Sequence, residues 1–334
     1  MKFRELGNTG EKLSAIGLGC MGMSYAYGPK DDKESIRTLH RALELEINFW
    51  DTADRYGYGH NEELISNVLV PNRQKIFIAT KFGFRERDSA EAHTVTYNTY
   101  IDGSPAYVKT AAENSLKRLK TDVIDLYYLH RIDPNVPIED TVGAMSQLVS
   151  EGKVRYLGLS EASAGTIRRA HKVHKIAALE TEYSILTRDA EGEILDTCRE
   201  LGIAFIPFSP LSRGLVTGTI ENPENFAADD YRRVLPRFSG SHFDNNRKLA
   251  AEFAAIAGSR NLTPAQLALA WVLAQGKDII PIPGTKRVKY LEENAAAVEA
   301  VLNQEDMDNI SSLLKKYPDV GPRYDQLSMS VVNK

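Results

Sequence analysis

Cysteine is nearly absent from this chain: Cys20 and Cys198 are the only two among 334 residues. They lie far apart and belong to no paired motif. Neither a disulfide framework nor a thiolate cluster is available to hold the fold, and a reducing compartment is the expected setting. A surplus of positive charge is missing too. Lys and Arg number 41 against 45 Asp and Glu, a formal net charge of −4, which is the wrong balance for a nucleic-acid binder. Long apolar runs are lacking; residues 267–274 form one of the longest, far short of the ~20 that a membrane-spanning helix needs. The opening MKFRELGNTGEKL has no apolar stretch after its first charges and does not read as a secretory signal. The closing SVVNK matches no prenylation, retention or peroxisomal signal. Low-complexity tracts and close repeats are absent. What is present is ordinary globular material, 43% hydrophobic and 26% charged, which excludes collagen-like, mucin-like and disordered classes. The expectation is a soluble cytoplasmic protein, with no nucleic-acid or membrane partner and a core large enough to fold unaided.

Short apolar runs alternate with amphipathic segments from end to end. Strands are expected at 13–18, 48–52, 75–81, 123–129, 154–159, 177–182, 204–208 and 279–282. Helices are expected at 35–45, 61–69, 105–119, 138–150, 164–174, 193–201, 246–258, 264–275 and 288–302. Ser104 reads as an N-cap with Pro105 in the first turn, and Gly202 as a C-terminal stop. About eight strand–helix units, with no composition break or linker, favour a closed (β/α)8 TIM barrel formed by residues 1–334 as one domain. The least regular stretches, 85–103 and 211–244, follow strands and so belong on the C-terminal rim, where loops shape pockets.

Gly17-Leu18-Gly19-Cys20-Met21-Gly22 matches G-x-G-x-x-G after an expected strand. The dinucleotide fingerprint needs a helix opening at its third glycine, to set amide N–H groups against the pyrophosphate. Here the chain runs on through MSYAYGP as loop. The better reading is a glycine-rich strand end that packs closely against something.

Polar residues at strand ends carry more. Asp51 ends the second strand, with Tyr56 just beyond it; Lys81 ends the third and His130 the fourth. Alone, each is an ordinary residue: a solvated charge, a packed ring, a core histidine. Together they fall on three consecutive strand ends of one rim. A tyrosine hydroxyl titrates near ~10, too high for easy proton donation. A neighbouring ammonium stabilises its phenolate, a carboxylate holds that ammonium, and an imidazole can donate to a substrate oxygen. Such a set suits protonation of an oxygen that gains negative charge, as when hydride adds to a carbonyl.

Several long segments now carry a family resemblance over nearly the whole chain: FWDTADRYG at 49–57, SPAYVKTAAENSLKRLKTDVIDLYYLH at 104–130, GKVRYLGLSE at 152–161, FSPLSRGLVTG at 208–218 and IPGTKRVKYLEEN at 282–294. The chain resembles the aldo-keto reductases, and within them the fungal YakC-like NADP-dependent branch. That resemblance implies NADP(H) as cofactor, a small-molecule carbonyl substrate, and Asp51, Tyr56, Lys81 and His130 as the catalytic tetrad. It further implies cofactor contacts from Gly19, Cys20, Met21 and Asp51 at the first strand ends. Ser160, Glu161 and Glu180 fall where the family holds the nicotinamide carboxamide, with Glu161 standing for Asn and Glu180 for Gln. An ionised carboxylate accepts from the amide NH2 but cannot donate to its carbonyl. Phe208 matches the ring that stacks on the nicotinamide, and Ser209, Pro210, Leu211, Arg213 and Gly214 match the pyrophosphate loop. Gly284, Thr285, Lys286 and Arg287 match a 2′-phosphate turn; Tyr290, Glu293 and Asn294 match the adenine site. Tyr25, Tyr27, Trp50 and Arg85 are expected to shape substrate choice.

Rival chemistries stay open at this point. Lys81 suits a Schiff-base lyase. His171 and His174, three apart on an expected helix, suggest metal binding but lack a third ligand. A cofactor-binding regulatory subunit would share the barrel without turnover.

Overall fold

The computed structural model describes residues 1–86 and 99–333. Its first element is an antiparallel hairpin, β1 (Phe3–Glu5) with β2 (Lys12–Ser14). Barrel strands follow as β3 (Leu18–Gly19), β4 (Phe49–Asp51), β5 (Phe77–Phe82), β8 (Ile124–Leu129), β9 (Val154–Ser160), β10 (Ile176–Glu182) and β11 (Ala204–Phe208). A second hairpin, β6 (Phe84–Glu86) with β7 (Thr99–Ile101), interrupts them between β5 and β8. The barrel strands pair in parallel in that order. The single strand expected at 13–18 is therefore two: its start belongs to the hairpin and its end to the barrel. Leu6 and Leu13 of the hairpin region join the cluster that fills the barrel.

The eighth strand expected at 279–282 is an irregular closing segment. Ile280 N–H donates to Phe205 O at 2.9 Å and Ile282 N–H to Pro207 O at 3.0 Å. On its other side, Pro281 O and Pro283 O accept from Gly17 N–H and Gly19 N–H at 2.9 and 3.2 Å. Neither proline has an N–H to donate, so the ladder toward β3 is accepted but not returned, and a regular strand is lost while the barrel still closes. The glycine fingerprint finds its explanation here. A Cβ on Gly19 would stand 2.8 Å from Ile282 O, and one on Gly17 would stand 2.9 Å from the Ile282 side chain. Beyond Gly22 no long helix begins until Asp32.

The helices are α1 (Asp32–Glu44), α2 (His60–Leu69), α3 (Pro105–Leu119), α4 (Ile138–Ser150), α5 (Ala164–Val173), α6 (Glu193–Leu201), α7 (Gly240–Ser259), α8 (Pro264–Ala274), α9 (Val288–Ala296), α10 (Gln304–Lys316) and α11 (Gln326–Ser330). Ser104 caps α3 by accepting from Tyr107 N–H, and Gly202 ends α6 at φ 66°. The expected helix at 288–302 stops early and turns 3-10 at Ala297–Glu299. The sequence reading missed α10, although Asn303 and Asp306 form a reciprocal capping box at its start. Of the rim stretch 85–103, residues 87–98 lie outside the described residues. His171, weighed above as a ligand, accepts from Ile176 N–H through Nδ1 at 3.2 Å. No helix among the described residues is long and apolar enough to cross a membrane.

Strand alternation decides what faces the barrel axis. Phe49, Phe77, Ala79, Leu126, Tyr128, Ala178, Ala204 and Ile206 fill the interior. Two residues further along their strands, the same faces present Asp51, Lys81, His130, Glu180 and Phe208. The apolar layer ends and a polar one begins at the C-terminal rim.

Candidate active site

Lys81 is the centre of this rim. Its side chain is 0% exposed and its ammonium pairs with Asp51 Oδ1. It also donates to Thr52 O at 2.9 Å and to the Tyr56 hydroxyl at 3.5 Å. Glu180 Oε2 stands 3.3 Å away, an ion-pair approach without hydrogen-bond alignment. The four expected strand-end residues thus come together, with Glu180 as a fifth. Burial works against the Lys81 charge, but Asp51, Glu180 and Tyr56 outweigh it and raise the group above the usual lysine range. An ammonium so buried, so held and absent from the wall of the cavity above it is a poor Schiff-base nucleophile.

Burial pushes the Tyr56 phenol above its ordinary value, and Lys81 opposes that rise. Tyr56 is therefore a protonated phenol at neutral pH, with the Lys81 ammonium beside its hydroxyl. His130 stands edge-on to Tyr56, ring centroids 6.0 Å apart, and edge-on to Phe84 at 5.0 Å. Burial, then the charges of Arg131, Lys81 and Arg55, hold its imidazole well below the ordinary histidine range. It is neutral, and its buried Nδ1 has no hydrogen-bond partner among the described residues.

A cavity of about 1220 Å³ opens over these groups. It runs from Tyr56 and His130, past Phe208, to the turn at 284–287 and α9. Every expected site residue lies on its wall except Cys20, Lys81, Ser160 and Glu161. Cys20 is buried with its Sγ on Leu18 O, and Ser160 accepts from Arg131 at 3.1 Å. Tyr25 and Tyr27 line the cavity. Trp50 packs in the outer core and donates to Ile47 O, and Arg85 pairs with Asp102. Arg131, Arg232 and Tyr324 also line it and escaped the sequence reading. Arg131 had a signal, a cation directly after an apolar strand; Tyr324 had none.

Residues 15–315 match the Aldo/keto reductase family. The chain belongs to the aldo/keto reductase family. It is 44% identical to probable aldo-keto reductase 1 of Glycine max over 323 residues, 96% of this chain and 91% of that one. It is 42% identical to the aldo-keto reductase yakc [NADP(+)] of Schizosaccharomyces pombe, over 96% and 94% of the two chains. Among solved structures it resembles a glycerol dehydrogenase from Gluconobacter oxydans, with a TM-score of 0.86 at 27% identity over 97% and 98% of the chains. An aldo-keto reductase from Bacillus halodurans in its holo form matches with a TM-score of 0.76 at 31% identity, over 98% and 99%.

In this family member, the turns around the cavity are strained. Glu161, Ser209, Ser212 and Arg213 adopt φ of 51°, 50°, 50° and 58°, a left-handed region that L-residues visit only when their surroundings hold them there. Glu161, expected at the carboxamide, instead has both carboxylate oxygens on Arg323, at 2.8 and 2.6 Å. It also accepts from Glu182 N–H at 2.8 Å. Asn333 adds to the same corner: its Oδ1 accepts from Ser163 N–H at 2.9 Å, and its N–H donates to Glu161 O at 3.1 Å. Glu161 thus anchors the C-terminal segment over the rim. Next to it, burial favours the neutral Glu182 carboxyl, but Arg213, Arg323 and Arg237 outweigh burial and hold it low.

The Glu161–Arg323 pair is 1% and 6% exposed. Removing one partner of such a pair leaves a buried charge uncompensated, at a cost of about 3–5 kcal/mol. Arg323→Met should therefore lower the melting temperature and speed chymotryptic cleavage near Tyr324, read by mass spectrometry. Cleavage at the wild-type rate would mean that the pair does not hold the segment.

Proposed function

We propose that this enzyme reduces the carbonyl group of small aldehydes and ketones to alcohols with NADPH. One observation carries the reading: a protonated Tyr56 at the cavity floor, backed by a fully buried Lys81–Asp51 ion pair and flanked by a neutral His130.

Several features of the cavity suit this cofactor. At about 1220 Å³ it exceeds the ~300–1,000 Å³ of ordinary small-ligand pockets, room for a dinucleotide and a substrate together. At the floor, Asp51 Oδ2, His130 Nδ1, Arg131 Nε and Glu180 Oε2 are buried without hydrogen-bond partners. Such groups call for a polar ligand. Phe208 offers an aromatic face beside them. At the far end, the Arg287 guanidinium has no partner among the described residues, and Lys286 holds Tyr27 O and Pro29 O at 2.7 and 2.8 Å. These cations precede the N-terminus of α9, a favourable place for a phosphate.

When bound, NADPH supplies the hydride that reaches the carbonyl carbon. The chain's own residues manage the oxygen. His130 donates a hydrogen bond to it and orients it toward Tyr56. Tyr56 transfers its hydroxyl proton as negative charge develops there. Lys81 stabilises the phenolate left behind, and Asp51 keeps Lys81 charged and in place.

NADPH oxidation against a panel of aromatic and aliphatic aldehydes and ketones tests the reading. Turnover on several members is expected. Tight cofactor binding with no turnover on any of them would mark a regulatory subunit instead.

Cofactor preference tests the far end separately. A charge-assisted hydrogen bond is worth ~1.5–3 kcal/mol, so Arg287→Ala should weaken NADPH by about ten- to hundredfold and leave NADH unchanged. Lys286→Ala should add to that loss and also loosen residues 27–29. Equal wild-type affinities for the two cofactors would remove both residues from the 2′-phosphate site.

A further inference from the structure

Two buried carboxyls share one buried ammonium under the cavity. Asp51 is hydrogen-bonded to Lys81, whereas Glu180 approaches the same nitrogen at 3.3 Å without hydrogen-bond alignment and keeps an unsatisfied Oε2. Glu180 is 4% exposed, and Asp51 2%. Among the described residues Lys81 is the one cation in ion-pair contact with either carboxyl, so ionising both leaves one of them to rely on the more distant Arg131.

The surroundings of Glu180 do not supply a second full partner. From β4 it faces Asp51, and from the loop beyond, the Tyr56 phenol. From β5 it faces Lys81; from β8 and the residue pair after it, the Tyr128 phenol and the Arg131 guanidinium. Its β9 neighbour in register is Ser160. Arg131 acts on Glu180 at longer range, while its own hydrogen bonds go to His130 O and Ser160. Burial first, then the Asp51 charge, raise the Glu180 carboxyl above the ordinary range, and Lys81 opposes that rise.

Glu180 lies on the cavity wall with Tyr56. The Tyr56 hydroxyl and Glu180 Oε2 lie 3.5 and 3.3 Å from the same Lys81 nitrogen, so the two cannot be far apart. A hydride donor must reach the carbon whose oxygen Tyr56 protonates. A ring that does so would lie over the part of the cavity wall that Glu180 shares with Tyr56.

We propose that Glu180 is a titrating member of the active-site cluster whose proton is coupled to the redox state of the bound nicotinamide, retained beside the neutral ring of NADPH and released beside the cationic ring of NADP+. The inference rests on the NADPH reading above. The overall reaction balances as RCHO + NADPH + H+ giving RCH2OH + NADP+, with Tyr56 delivering the proton. The charge that changes above the rim is that of the ring, neutral in NADPH and cationic in NADP+. An ionised Glu180 attracts the cationic ring and gains nothing from the neutral one. In binding without substrate, the proton that Glu180 loses goes to solvent.

The test is equilibrium binding of NADP+ and of NADPH to the full chain, by titration calorimetry and fluorescence quenching, from about pH 6 to pH 9. NADP+ should tighten relative to NADPH as pH rises, by up to tenfold per pH unit and at least about tenfold in all. The 2′-phosphate titrates near ~6 in both forms and cancels in the ratio. Calorimetry in buffers of different ionisation enthalpy should show proton release on binding NADP+ and none on binding NADPH. Glu180→Gln keeps the shape and has no proton to lose, so its affinity ratio should be flat with pH and its proton release abolished. A flat ratio in the wild type overturns the proposal, as does a slope that persists in Glu180→Gln. Failure to bind either cofactor at any pH would sink the NADPH reading instead.

Discussion

Tyr56→Phe should reduce carbonyl turnover by about 10²–10⁴-fold, the range typical of general acid–base groups, with fold and cofactor affinity retained. The substitution removes one hydroxyl and keeps a ring that is 8% exposed and edge-on to His130. The hydroxyl accepts a 3.5 Å hydrogen bond from Lys81, whose shorter partners, Asp51 and Thr52 O, remain. Little stability is therefore lost, and the loss is in the rate. Steady-state rates at saturating NADPH, with affinity measured separately by fluorescence, separate the two. A variant turning over near the wild-type rate would remove Tyr56 from the mechanism, and with it the reason to treat Asp51, Lys81 and His130 as one site.

Lys81→Met should be damaging in two ways. Turnover should fall by a similar ~10²–10⁴-fold, because the phenolate loses its cation. The two defects should not multiply in the double variant, since Lys81 acts largely through Tyr56. Stability should fall as well, by about 3–5 kcal/mol, because Asp51 and Glu180 lose the ammonium between them. The sign of the pH dependence follows from their direction of shift. Burial raises both carboxyls above their unfolded values while Lys81 opposes the rise; without Lys81 they rise further. Below ~4, where unfolded carboxyls are protonated, the raised groups cost nothing; as pH climbs toward the raised folded values, the unfolded state ionises and the folded state lags. Up to the wild-type folded values both proteins lose stability alike, so the gap in melting temperature between wild type and Lys81→Met should widen as pH rises past about 8, where Glu180 ionises in the wild type and not in the variant. A constant gap would mean that the carboxyls are compensated by some group other than Lys81.

The apolar runs at 75–81, 123–129 and 177–182 and the caps at Ser104 and Gly202 depend on residues close in sequence, and they were legible as strands and helices without coordinates. So was their gathering: Asp51, Tyr56, Lys81 and His130 sit where apolar strands run out, and a parallel barrel puts every such end on one rim. The linear chain does not encode which distant groups meet there. Glu161 lies 162 positions from Arg323, and nothing near it in sequence shows that its carboxylate serves the C-terminal segment. Glu180 lies ninety-nine positions from Lys81, and its missing counter-charge follows only from burial beside Asp51. Pro281 and Pro283 were visible, but their effect depends on which neighbours the closing segment finds, Phe205 and Pro207 on one side and Gly17 and Gly19 on the other. Local propensity and alternation set the elements and the barrel; desolvation and long-range pairing, which need the tertiary structure, decided the charge state of the groups those elements carry.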